Sequence, residues 1–400
     1  MHQVAIIGWL FILFLITINF LNQINDVMVN FLYYTLFLVV LLKHKVTFNL
    51  EFVVLLTFAT IYFFIYRNYR DVTKWTHVKY WLGAPGMYLM GKLFISQKTE
   101  KWFQWVIYTV TFGLFFYGFL NMLNYVQAET PEGTRFAFDF WDGFMMNAPL
   151  MGVYFTGFST LLIYNIFHLS IKKHWYLKLI QLFGMGLTVY FIILLANRTY
   201  FIVTILVFII MFFIASAINR FKVLYPTLIV VVLIGIIYYG YQFNVFNVQT
   251  TLEATRWYRR IILTMENGIL SDGRFKVYPL IREQLFLYPA GGYQLDLGGL
   301  HYAHNLWLDI LHAVGTYGFF PFLGYTALII YTLIRLSFSY YVPKGIKVLV
   351  ISVYIGYFLN FSVEPILEGV PYIFFLFCLI NGATYQYYKV RVHMKIKEDI

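Results

Sequence analysis

Residues 200–218 read YFIVTILVFIIMFFIASAI, a run with no charged residue and no proline. Wound as a helix at about 1.5 Å per residue it extends roughly 28 Å, close to the ~30 Å of a bilayer's hydrocarbon core. Working outward, similar apolar runs recur on both sides. The whole chain is 61% hydrophobic, 22% aromatic and only 12% charged. Ordinary soluble domains carry about 25% charged residues, so this composition belongs to a polytopic helical membrane protein. The runs do not alternate polar and apolar positions as barrel strands of about ten residues would. The fold class expected is all-α, a polytopic transmembrane helical bundle forming a single integral membrane domain over 1–400.

About twelve crossings are expected, near 4–21, 31–42, 52–66, 80–95, 102–125, 149–171, 179–195, 200–218, 224–241, 315–336, 346–361 and 372–388. The fourth is the weakest. It holds Gly83, Pro85, Gly86, Gly91 and Lys92, and also reads as a bent or re-entrant helix. The first run lacks a basic leader and a small-residue cleavage site, so it reads as a retained crossing. The single cysteine, Cys378, sits in an apolar run and offers neither a disulfide framework nor a thiolate metal site.

Short-loop lysines and arginines set the orientation. Lys43 and Lys45, Lys98 and Lys101, Lys172, Lys173 and Lys178, Arg220 and Lys222, Lys344 and Lys347, and the tail residues Lys389, Arg391, Lys395 and Lys397 share one side. That side is expected to be cytoplasmic, with both termini inside. The basic stretch from Arg67 to Lys79 runs against this pattern if the fourth segment crosses. The net charge of +11 follows mostly from this bias, and the scattered distribution argues against nucleic acid as a partner.

One long polar segment, about 242–314, then faces outward as an extracytoplasmic loop between crossings nine and ten. Leu252 to Leu270 has apolar residues at helical spacing, with Arg256, Arg259 and Arg260 on or near the other face. This predicts an amphipathic helix on the bilayer surface. Ser271-Asp272-Gly273-Arg274 is a turn signal, Lys276 to Leu287 reads as a second helix containing Arg282, and Tyr288-Pro289-Ala290-Gly291-Gly292 breaks it. The loop ends in His301-Tyr302-Ala303-His304-Asn305 and a short amphipathic helix, stopped by Gly315 and Gly318. His304 falls at a helix start, where open backbone N–H groups and the dipole favour an anion and disfavour imidazolium. A neutral imidazole there suits a general base.

Arg198, in the short turn Asn197-Arg198-Thr199, is expected at the outer membrane edge. A guanidinium so placed faces a cavity or an anion, and its fork holds phosphate oxygens bidentately. The same arginines suit lipid headgroups, and a histidine at a helix start also serves as a cap. His301, His304, Asp309 and His312 share a face only loosely, so no metal is expected.

His304, Asn305, Leu308, Leu311, Gly315 and Gly318, with Gly273-Arg274 and Pro289-x-Gly-Gly upstream, resemble the O-antigen polymerase and O-antigen ligase superfamily. Arg198 resembles the arginine of that family's Ser-Arg element, with Asn197 in place of the serine. Gly291-Gly292-Tyr293 departs from the family's Gly-x-Gly. The motifs cover only Arg198 and about 273–318, while the topological likeness spans the chain.

The resemblance implies a C-type (GT-C-like) membrane glycosyltransferase that needs no metal or other cofactor. The donor it implies is a glycan on undecaprenyl diphosphate at the outer leaflet, and the acceptor a sugar hydroxyl. His304 would be the general base, Arg274 and Arg198 the diphosphate clamp. Arg256, Arg259, Arg260, Arg282, Asn305 and His301 would line the substrate. A lipid-linked repeat as acceptor makes the enzyme an O-antigen, capsule or exopolysaccharide polymerase; a lipid or protein acceptor makes it a ligase. A flippase for the same lipid is the reading from another class. A chain-length regulator, a flippase and membrane lipids are the partners implied.

Overall fold

The computed structural model describes residues 2–19, 48–69, 74–95, 100–127, 135–168, 171–218, 235, 238–239, 241–268, 273–284, 286–292, 294–300 and 302–398. These are mostly helical, at 81%, as the apolar runs require. The longer helices are α1 (His2–Thr17), α2 (Leu50–Tyr69), α3 (Lys74–Ile95), α4 (Glu100–Gln127), α5 (Ala148–His168), α6 (Ile171–Leu194) and α7 (Thr199–Ile218). There follow α8 (Val248–Ala254), α9 (Arg256–Asn267), α10 (Gly273–Gln284), α11 (Leu306–Phe338), α12 (Lys344–Phe361), the short α13 (Ile366–Gly369) and α14 (Pro371–Glu398). Among the described residues, α4, α11 and α12 are long and apolar enough to cross a membrane. Leu50–Ile65, Lys178–Leu194 and Thr199–Ile214 are shorter apolar helices. The expected crossing at 31–42 lies outside the described residues, as does most of the one at 224–241.

The chain divides into two compact units. The first comprises Met1–Gly113, Gly273–Lys347 and Phe361–Ile400, the second Leu114–Asp272 and Val348–Asn360. In the first unit α3 packs along α14 over most of its length, and α2 packs on both α3 and α11. The glycines that made the fourth segment look broken have another use. A Cβ at Gly91 would run into the Leu379 carbonyl, and one at Gly382 into the Tyr88 carbonyl. The two backbones meet directly, as small residues allow between membrane helices. Gly83 faces Phe375 near one end of the contact and Lys92 lies over Tyr385 near the other, so α3 and α14 run parallel. Pro85 lies inside a continuous helix from Lys74 to Ile95, so this segment is not broken.

The second unit is built on α5, which packs against α6 and α7. Ahead of α5 stands a two-stranded hairpin, β1 (Phe136–Phe138) against β2 (Met145–Asn147). Its turn is organised by Asp139, which accepts from the Tyr117 hydroxyl and, at 2.7 Å, from the Trp141 N–H. Burial raises the Asp139 carboxyl above its ordinary value.

Candidate functional site

The long polar segment supplies pieces to both units. In the first unit, Val277 and Ile281 stand one turn apart on α10 and bury against Leu295, Leu297, Ala303 and Leu311. Leu300, Leu308 and Phe319 close the cluster. The helix that begins Gly273-Arg274 and the turn that carries His304 are thus parts of one small folded element. Arg282, on the outer side of α10, is exposed. The Arg274 side chain lies outside the described residues, and so does His301.

The two glycine motifs meet in the same element. α11 breaks at Gly315, whose φ of 60° and ψ of −164° are open only to glycine at low cost. The break falls at Gly315, where the short amphipathic helix was expected to end, and most of that short helix is buried. The break's loosened polar groups are taken up by the 289–292 turn. Pro289 O accepts from the Tyr317 N–H at 3.1 Å and from the Thr316 hydroxyl at 3.3 Å. The Gly292 N–H donates to Ala313 O at 2.9 Å. A Cβ at Gly291 would collide with the Gly315 nitrogen. One motif is therefore the plug for the kink in the other.

His304 is half-buried and holds a left-handed backbone, φ 54°, which costs a non-glycine residue about 1–2 kcal/mol. Asp309, only 2% exposed, grips the backbone on both sides of it. Its Oδ1 accepts from the Ala303 N–H at 2.7 Å and its Oδ2 from the Asn305 N–H at 3.1 Å. Asn305 caps the helix, its Oδ1 accepting from the N–H groups of Trp307 at 3.1 Å and Leu308 at 3.3 Å. Its amide donates to Ser362 O at 3.1 Å, which ties the turn to the segment after α12. The Tyr302 ring stands edge-on to the imidazole with centroids 6.4 Å apart.

This geometry corrects one expectation. The helix start at His304 was read as a set of open N–H groups awaiting an anion. The amides of Trp307 and Leu308 already serve the Asn305 cap, and Asp309 has taken the two that flank His304. An external phosphate would have to displace the protein's own oxygens. Asp309, weighed from sequence only as a metal ligand, is the residue that shapes the turn. Its signal was the spacing Asn305-x-x-x-Asp309 ahead of an apolar helix. Among the described residues, no three His, Cys, Asp or Glu side chains are grouped closely enough to hold a metal ion.

The other arginines belong to the second unit. The expected amphipathic helix over Leu252–Leu270 is two helices, α8 and α9, divided at Thr255, whose hydroxyl caps α9 by accepting from the Tyr258 N–H at 3.2 Å. α9 buries no residue fully; Arg256 and Arg259 are exposed along with Leu263 and Met265. Trp257 anchors it on Phe201 of α7, ring centroids 5.1 Å apart. Arg198 and Arg260 make a reciprocal clasp. Arg198 Nη1 donates to Arg260 O at 3.2 Å, and Arg260 Nη1 to Ala196 O at 3.4 Å. Asn197 is buried, its amide donating to Ala148 O at 2.7 Å and its Oδ1 accepting from the Tyr200 N–H at 3.2 Å.

The sequence-derived residues therefore fall into two sets. His304, Asn305 and the helix bearing Arg274 and Arg282 form one; Arg198, Arg256, Arg259 and Arg260 form the other. No protein-family model and no curated protein matches the chain.

Proposed function

We propose that the protein is a membrane glycosyltransferase of the O-antigen polymerase type. It moves a glycan from an undecaprenyl-diphosphate donor to a sugar hydroxyl of a lipid-linked acceptor on the outer face of the membrane. The reading includes about twelve crossings, both termini inside, and the 242–314 segment outside. One observation carries it. A strained, half-buried histidine is held by a dedicated buried carboxyl, in the same folded element as the Gly273-Arg274 helix and the plug-and-kink glycines. Backbone strain maintained by surrounding contacts is a common property of functional residues.

In this mechanism His304 takes the proton of the acceptor hydroxyl as that oxygen bonds to the anomeric carbon. The bond from that carbon to the diphosphate oxygen breaks, and the diphosphate departs with the electron pair. The guanidinium of Arg274, on the helix of the same folded element, stabilises the charge it gains. Positioned base catalysis contributes about 10²–10⁴ in rate. Preorganised charge on the leaving group contributes more, since it acts only as the charge develops. A ligase would run the same chemistry on a lipid or protein acceptor.

The test is His304→Ala in cells that depend on this chain for long polysaccharide. Long chains are expected to disappear while protein level and lipid-linked repeats persist. Chains of normal length would end the proposal. Persistent repeats that fail to reach the outer surface would instead indicate a flippase.

A further inference from the structure

A second polar cluster, at the other end of α11, takes no part in this chemistry. Four helices of the first unit bring it together. Glu51 of α2 accepts from the Tyr88 hydroxyl at 2.8 Å and from the Thr332 hydroxyl. Asn49 donates to Tyr88 Oη at 2.7 Å, and Lys92 Nζ donates to Asn49 Oδ1 at 3.2 Å. Lys92 lies over the Tyr385 ring at 5.4 Å. Arg335 lies over the rings of Tyr331 and Tyr388, at 5.5 and 5.6 Å. Lys389 stands near enough to Lys92 to act on it electrostatically, and Arg335 on Tyr385.

Lys92 is buried within this network, and the Glu51 carboxyl is already engaged by two hydroxyls. Among the described residues no carboxylate forms an ion pair with Arg335 or Lys389. Depth decides what complements them. Arg335 lies 20 residues beyond the Gly315 kink, about 30 Å along the helix, which is one hydrocarbon thickness. If the kink sits at one membrane surface, Arg335 sits at the headgroup level of the other. The outer face of α11 leads to it. Phe320, Leu323, Ala327, Ile330 and Ile334 are all exposed and follow one another at steps of three and four, a continuous apolar stripe. Tyr331, at the step before Arg335, is 55% exposed. An apolar stripe ending in a cation between two tyrosine rings is complementary to an amphiphile with an anionic head. Basic pockets between membrane helices recognise such headgroups.

We propose that Arg335 and Lys389, walled by Tyr331 and Tyr388, seat the phosphate of an anionic phospholipid whose acyl chain lies along the Phe320–Ile334 stripe. The site is independent of any role for His304. Its test is native mass spectrometry of the full chain in detergent, offered equal amounts of phosphatidylglycerol and phosphatidylcholine with identical acyl chains. The wild type is expected to retain phosphatidylglycerol preferentially. The double variant Arg335→Gln, Lys389→Gln is expected to lose that preference on the order of tenfold. A large excess of glycerol 3-phosphate should leave the lipid bound, because the head alone lacks the stripe. In the wild type, photoreactive phosphatidylglycerol should label peptides containing Tyr331 or Tyr388, a readout that does not depend on a variant folding. The proposal is overturned by equal retention of both lipids, by an unchanged double variant, by labelling elsewhere only, or by displacement with glycerol 3-phosphate, which would make this a soluble-anion site.

Discussion

The turn at Ala196-Asn197 and the turn at His304-Asn305 use the same device in different units. Each places a non-glycine residue at left-handed φ, 50° for Ala196 and 54° for His304, directly before an asparagine. Each asparagine caps the helix that follows with its Oδ1 and anchors the turn with its amide, to Ala148 O in one case and Ser362 O in the other. The cause of the left-handed residue differs. At Ala196 it is the ordinary end of a helix. The Asn197 N–H reaches back to Ile192 O and the Ala196 N–H to Ile193 O, the double bond pattern that stops a helix in this conformation. His304 follows no helix. Its conformation is imposed by the Asp309 carboxyl gripping the amides on either side. The first turn is explained by the chain's need to reverse. The second is maintained by a residue with no comparable topological duty, as expected where the side chain being aimed is the purpose.

The sharpest way to break this comparison is Asp309→Ala. It removes the acceptor from two amides, one of them on the fully buried Ala303, and an unmet buried donor costs about 1–3 kcal/mol. A loss of roughly 2–6 kcal/mol is expected in denaturant or thermal unfolding of the purified protein. Polysaccharide chain length should fall even at growth temperatures where protein level is normal. Asp309→Asn, which keeps one carbonyl acceptor, should recover part of both. Full activity in Asp309→Ala at normal protein level would show that the grip does not serve His304.

The two caps come next. Asn197→Ala and Asn305→Ala each remove a helix cap, worth about 1 kcal/mol, together with an anchoring bond. Similar losses of stability are expected at both sites. Activity should separate them, since only Asn305 fixes the residue next to His304. Equal effects on chain length would mean that both asparagines act through stability alone.

What could be read from the residues divides along the same line. The apolar runs predict helices because length and composition are local properties, and the stop at Gly315 is legible because glycine marks a backbone few other residues adopt. The use of the fourth segment's glycines was not legible for the same reason. Gly91 resembles a helix breaker in isolation, but its partner is the Leu379 backbone nearly three hundred residues away. The His304 turn was half legible. Asn305 stands where a cap stands, but residue types alone do not distinguish N–H groups that face an external anion from ones met within the chain. Asp309, four residues on, had already supplied the internal one. The clasp between Arg198 and Arg260 was not visible at all, because a backbone carbonyl carries no sequence signature.

The smallest expected effect on stability is also the cleanest separation of the two turns. Ala196→Gly relieves about 1 kcal/mol of left-handed strain but gives up a buried methyl and adds freedom to the unfolded chain, each worth a comparable amount. The melting temperature should move by only a few degrees, and chain length should not change. His304→Gly relieves the same strain and gives up a ring that is only half-buried. Its melting temperature should also stay within a few degrees of wild type, or rise, while long polysaccharide disappears. Stability held and activity lost at 304, against stability and activity both held at 196, is the pattern of strain kept for function in one turn and for chain reversal in the other. If His304→Gly makes normal chains, the imidazole is one more turn residue, and the two turns differ only in how their backbones are satisfied.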